Sequence, residues 1–118
     1  MFKEVPTNRD EKAYPSCVVS GNYIYISHHD GGHDRNDITY QMEETFKNLD
    51  KTLKSINITF DDIIQINLYL KNFKDIKSAN SIFCKFFKNG FPKKMKTITK
   101  NISNNRLCMI DGVAYKKS

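Results

Sequence analysis

A chain of 118 residues with 39% hydrophobic and 27% charged residues suits one globular domain with a single core, residues 1–118, and excludes a disordered chain. The net charge of +6 comes from 19 Lys plus Arg, sixteen of them lysine, against 13 Asp plus Glu, and favours anionic partners. Asn, Ile and Lys are frequent throughout, so the excess reads as a background preference rather than a nucleic-acid footprint.

No apolar run is long enough to span a bilayer, and Met1-Phe2-Lys3-Glu4 lacks the apolar core of a signal peptide. A cytoplasmic protein without membrane contact is therefore expected. Val18-Val19 and Ile24-Tyr25-Ile26 flank Ser20-Gly21-Asn22, which predicts a β-hairpin over 16–20 and 23–28 with Gly-Asn in the turn. Residues 29–36, rich in His, Asp and Gly, read as a polar surface loop. His29 and His33 with a carboxylate can ligate zinc in principle. Gly31-Gly32 argues for a flexible turn instead, so neither a metal nor any other cofactor is expected.

Asn36 or Asp37 should cap a helix in which Ile38, Met42, Phe46, Leu49, Leu53 and Ile56 form one apolar stripe, with Asn57 at its end. A strand follows near 63–71, with Ile64, Ile66, Leu68 and Leu70 on one face and Gln65, Asn67 and Tyr69 on the other. A second helix runs from about 75 to 88, turning Ile76, Ala79, Phe83, Phe86 and Phe87 inward, and Gly90 stops it. Pro92 suits the start of a strand. In the strand 94–100, Lys94 and Lys96 share a face, either as an anion site or as two solvated lysines. A last strand, 107–115, follows the turn-rich Ser103-Asn104-Asn105. Cys17, Cys84 and Cys108 stand singly, without zinc spacing, and read as reduced small hydrophobes in the core.

The predicted order is β-β-α-β-α-β-β, an α+β domain with both helices on one face of a mixed sheet. The other face carries Tyr23, Tyr25, Gln65, Asn67 and Tyr69, half apolar and half polar. Such a face suits packing against another subunit.

Four blocks in order resemble the Rid (YjgF/UK114) family, also known as L-PSP endoribonucleases, over about residues 12–115. They are Ala13-Tyr14 with Gly21-Asn22 and Ile24-Tyr25-Ile26-Ser27; Asn72-Phe73-Lys74-Asp75 through Ala79-Asn80 to Phe86-Phe87; Phe91-Pro92-Lys93-Lys94; and Met109-Ile110-Asp111-Gly112-Val113-Ala114. The resemblance implies a chorismate-mutase-like subunit, a homotrimer with the open sheet face inside, and clefts between subunits. There the family hydrolyses reactive enamines and imines to ketoacids and ammonium. It also implies a site built from Tyr14, Ser27 and Asn80, with Lys94 where the family has a carboxylate-gripping arginine. Met109 stands where the family has a water-positioning glutamate, His28-His29 where it has Gly-Gln, and Lys96 where it has cysteine.

These departures have chemical consequences. Lysine holds a carboxylate as a point charge and orients it less firmly than the arginine fork. A thioether accepts no proton from water. Asp111, two residues along the same strand face, can act through a water, or His28 or His29 can supply the missing base. The site expected here is Lys94, Tyr14 and Asp111 for chemistry, with Ser27, His28, Asn80, Lys96 and Met109 lining it. The expected partner is a small carboxylate or imine. Binding of such a metabolite without turnover is the alternative. An RNA-directed role lacks an aromatic platform among the lysines and a nuclease constellation.

Overall fold

The structure is a computed structural model that describes residues 2–5, 15–90, 92, 94–102 and 105–116. Six strands form one sheet, in the order β1 (Phe2–Val5), β2 (Cys17–Ser20), β3 (Tyr23–His29), β6 (Cys108–Tyr115), β4 (Ile63–Leu70) and β5 (Lys94–Thr99). Every pairing is antiparallel except β4 with β5, so the sheet is mixed. A parallel pair needs a crossover, and α2 (Ile76–Phe86) supplies it. No described helix is long and apolar enough to cross a membrane.

The hairpin, both helices and the last three strands lie where the sequence predicts, within a residue or two. Gly21 sits in the turn at φ +60°, a conformation that costs other residues more. The first helix, α1 (Ile38–Ser55), begins at Asp37, whose carboxylate accepts the Tyr40 N–H. Asn57 follows it at φ +60°.

Met42, Phe46, Leu49 and Leu53 of α1 and Ala79, Ile82 and Phe83 of α2 are buried with Ile24, Ile26, Ile66, Leu68, Leu70, Ile110 and Ala114 of the sheet. Both helices thus cover one face. Phe46 anchors an aromatic cluster, with its ring centroid 4.9 Å from Phe86 and 5.2 Å from Phe83. The other face is open. It exposes Tyr23, Tyr25 and Tyr115, with the Tyr23 and Tyr115 rings 5.0 Å apart.

Five expectations are corrected. An additional edge strand, β1, pairs Phe2 to Ser20 and Val5 to Cys17. Ile82, not assigned inward, is a core residue. In β4 the register slips between Ile63 and Gln65, so Ile63 is buried and Ile64 leaves the apolar row. This is a β-bulge, in which an extra residue breaks the period of two. Cys84 is exposed, unlike Cys17 and Cys108, because its place on α2 turns away from the core.

The fifth concerns the histidine segment, which is not a free surface loop. His29 ends β3 buried, with Nδ1 2.7 Å from the Ser27 carbonyl and Nε2 2.8 Å from Thr52 Oγ1 of α1. A carbonyl only accepts, so Nδ1 carries the proton and Nε2 accepts from the threonine. Asp30 is also buried, 3.2 Å from Arg106 Nε and 3.3 Å from His33 Nε2, while its carbonyl accepts from Asn48. Both ring nitrogens of His29 are thus committed, which leaves it neither a base nor a metal ligand.

Candidate active site

The open face acquires its chemistry from a second bulge. Ile26 pairs with Gly112 and His29 with Ile110, so Ser27 and His28 together oppose Asp111. The extra residue reverses the alternation of β3. It turns His29 toward α1 and leaves His28 on the open face beside Asp111.

Strand register then sets a row across four strands. His28 of β3 lies next to Asp111 of β6, Asp111 opposite Asn67 of β4, and Asn67 opposite Lys96 of β5. One step along, Val113, Gln65 and Lys94 form the adjoining row. On the other side, Met109 pairs with Tyr69.

Asp111 is the centre of this arrangement. Its Oδ1 accepts from Asn67 Nδ2 at 2.7 Å, and its Oδ2 accepts from the Tyr69 hydroxyl at 3.0 Å. His28 Nε2 lies 3.0 Å from the same Oδ2, and the His28 ring meets Tyr69 edge-on at 5.5 Å. The Asp111 side chain is 20% exposed and that of His28 41%, so the pair sits at a wet edge. Burial, then the hydrogen bond to the Asp111 carboxylate and its charge, push the Tyr69 phenol above its ordinary pKa. The Lys100 ammonium stands 5.3 Å from the Tyr69 ring.

Two shallow cavities flank the Asn67–Asp111 bond. One, of about 400 Å3, is lined by Ile26, Ser27, His28 and Asp111. The other, of about 300 Å3, is lined by Gln65, Asn67, Lys94, Met95 and Lys96. Among the described residues no carboxylate pairs with Lys94 or Lys96.

Of the residues expected to build the site, Ser27, His28, Lys94, Lys96 and Asp111 thus gather on one face of one sheet. Met109 lies on that face too, but buried and one row beyond Asp111. Asn80 is elsewhere in this chain. It is exposed on α2 and lines a cavity of about 320 Å3 with Phe83, Cys84 and Met95, on the helical side of β5. Tyr14 lies outside the described residues. Asn67 and Tyr69 were not singled out for the site. Their signal was the alternation of β4, which already put them on the open face.

Comparison with known proteins identifies the fold and the family. The family model described as endoribonuclease L-PSP matches residues 7–116. A 2-iminobutanoate/2-iminopropanoate deaminase of Dermatophagoides farinae is 22% identical, over 85% of this chain and 83% of that protein. A putative regulator, AldR, of Lactococcus lactis is 33% identical over 69% of this chain and 64% of its own length. Among solved structures, YyfA of Yersinia pestis, described as a conserved Rid-family protein of unknown function, superposes with a TM-score of 0.89. It is 20% identical, over 98% of this chain and all of that one. Rv2704 of Mycobacterium tuberculosis, of the YjgF/YER057c/UK114 family, gives 0.86 at 16% identity, also over 98% of this chain and all of its own. The chain belongs to the endoribonuclease L-PSP family, the Rid or YjgF/UK114 proteins.

Proposed function

We propose that this protein hydrolyses small imino carboxylates to ketoacids and ammonium, in clefts that a homotrimer completes. The observation that carries this reading is the Asp111 carboxylate, held by three side chains on the same sheet face as two lysines that, among the described residues, pair with no carboxylate. Lys94 takes the substrate carboxylate. The Nε2–H of His28 donates to Asp111, which leaves Nδ1 with its lone pair as the acceptor for a water. The water oxygen bonds to the carbon of the protonated imine as one water proton passes to Nδ1, giving a neutral carbinolamine. His28 then returns that proton to the nitrogen. The carbon–nitrogen bond breaks as the carbinolamine oxygen forms the ketone, and its hydroxyl proton leaves with the ammonia as ammonium. One water is consumed, and Asp111 stabilises the transient imidazolium.

His28 in this reading supplies what Met109 lacks. The deaminase among the relatives supports the reaction type, and the exposed Tyr23, Tyr25 and Tyr115 support burial of the open face against further copies. Met109 favours a second reading, binding of the ketoacid without turnover. The test is ammonium release from 2-iminobutanoate generated in solution. Wild-type protein should exceed the buffer rate, and Lys94→Ala should lose most of the gain. No acceleration over buffer, with 2-oxobutanoate still bound in calorimetry, leaves only the second reading.

A further inference from the structure

Lys94 alone suffices to hold one carboxylate, yet the structure presents two ammonium groups to one cavity. Lys94 and Lys96 are two residues apart on β5, so they share a face with Cα atoms about 6–7 Å apart. Their neighbours on β4 are Gln65 and Asn67, amides rather than carboxylates. The nearest acidic side chain in the row, Asp111, is spaced from Lys96 by the whole of β4, and its oxygens are taken by Asn67, Tyr69 and His28. The two like charges therefore face the same cavity of about 300 Å3 without internal compensation among the described residues. A monocarboxylate neutralises one of them and leaves the other facing a bound ligand. An anion with two carboxylates a few bonds apart satisfies both. Gln65 and Asn67, opposite the two lysines on β4, line the same cavity with amides, and the volume suits a small metabolite.

We propose that the Lys94–Lys96 pair selects dicarboxylic substrates, imino acids whose side chain ends in a second carboxylate. In this assignment Lys94 holds the carboxylate next to the imine and Lys96 the distal one. The inference rests on the deaminase reading for the identity of the imine, but the charge argument concerns binding alone.

Calorimetry with stable ketoacid products separates the two. For the wild type, 2-oxoglutarate should bind about tenfold or more tightly than 2-oxobutanoate, the worth of one added charge-assisted contact. Lys96→Gln should bring the ratio close to one, and Lys94→Gln should weaken both ligands. Inorganic phosphate, as a compact dianion, should compete poorly because it cannot span both ammonium groups. Equal affinities for the two ketoacids overturn the dicarboxylate assignment and leave the deaminase reading intact. Phosphate competing as well as 2-oxoglutarate also overturns it, in favour of a general anion patch on an edge strand. Binding of neither ketoacid overturns both readings.

Discussion

Replacing Asp111 by asparagine keeps the shape of the side chain and removes only its charge and half its accepting capacity. The carboxylate accepts from Asn67 at 2.7 Å and Tyr69 at 3.0 Å and pairs with His28 at 3.0 Å. An amide oxygen in place of Oδ1 keeps the Asn67 bond. The amide N–H2 in place of Oδ2 then faces two former donors. The Tyr69 hydroxyl can rotate to accept, and His28 can accept at Nε2 only by moving its proton to Nδ1. The half-exposed His28 contact is worth about 0–1 kcal/mol. The less exposed Tyr69 contact loses its charge assistance, about 1 kcal/mol. Asp111→Asn should therefore cost about 1–2 kcal/mol in urea unfolding at fixed protein concentration, with m unchanged.

Activity should fall much further, by about 10²-fold or more, because the tautomer change takes the lone pair from the open side of His28. A spectroscopic signature accompanies it. The folded Tyr69 phenol is held above its ordinary pKa, so it contributes stability below the unfolded tyrosine range, about pH 10. That contribution is lost as pH rises through the higher folded value. Two of its three causes come from Asp111, so its tyrosinate absorbance should appear at lower pH in the variant, while burial keeps part of the shift. Ultraviolet titration reads this directly, since the chain has no tryptophan. A variant with wild-type ammonium release and an unmoved tyrosine titration refutes the placing of Asp111 at the centre of the site.

Other outcomes are as definite. Met109→Glu with Lys94→Arg introduces the carboxylate and the guanidinium fork that the resemblance to the Rid family leads one to expect at these positions. The double variant should release ammonium from 2-iminobutanoate at least tenfold faster than wild type, and an inert one counts against any imine chemistry here. Gly112→Ala should destabilise by about 2 kcal/mol or more in urea, because a Cβ there would sit 2.3 Å from the Gln65 carbonyl oxygen at the β4 bulge; a neutral effect would show that the bulge yields easily. Burial raises the Cys17 thiol to about 11 and that of Cys108 to about 12, so neither offers thiolate at pH 8. A disulfide reagent at that pH should titrate one thiol, Cys84, in the folded protein and three in denaturant.

The sequence carries the periodic features of this fold. Apolar spacing reveals α1 and α2, and alternation shows Asn67 and Tyr69 on the open face, Lys94 beside Lys96, and Asp111 on the face of Met109. The features it hides are single-residue events. The bulge at Ser27-His28 inverts the faces of the next residues, so the histidine that alternation would bury is the one at the site, and its neighbour is buried against Thr52. The slip at Ile64 is of the same kind. Strand β1 escapes because Phe2-Lys3-Glu4-Val5 is short and charged, the composition that edge strands use to avoid further pairing. Asp30 looks like a loop carboxylate because its partner, Arg106, lies far away in sequence.

In the proposed reaction His28, oriented by Asp111, is the base that activates the water. Initial rates of ammonium release from 2-iminobutanoate, measured side by side for wild type and His28→Ala, test it most directly. Wild-type turnover should exceed the buffer rate and His28→Ala should lose about 10²-fold, with affinity for 2-oxobutanoate retained. Equal rates in the two proteins would contradict it.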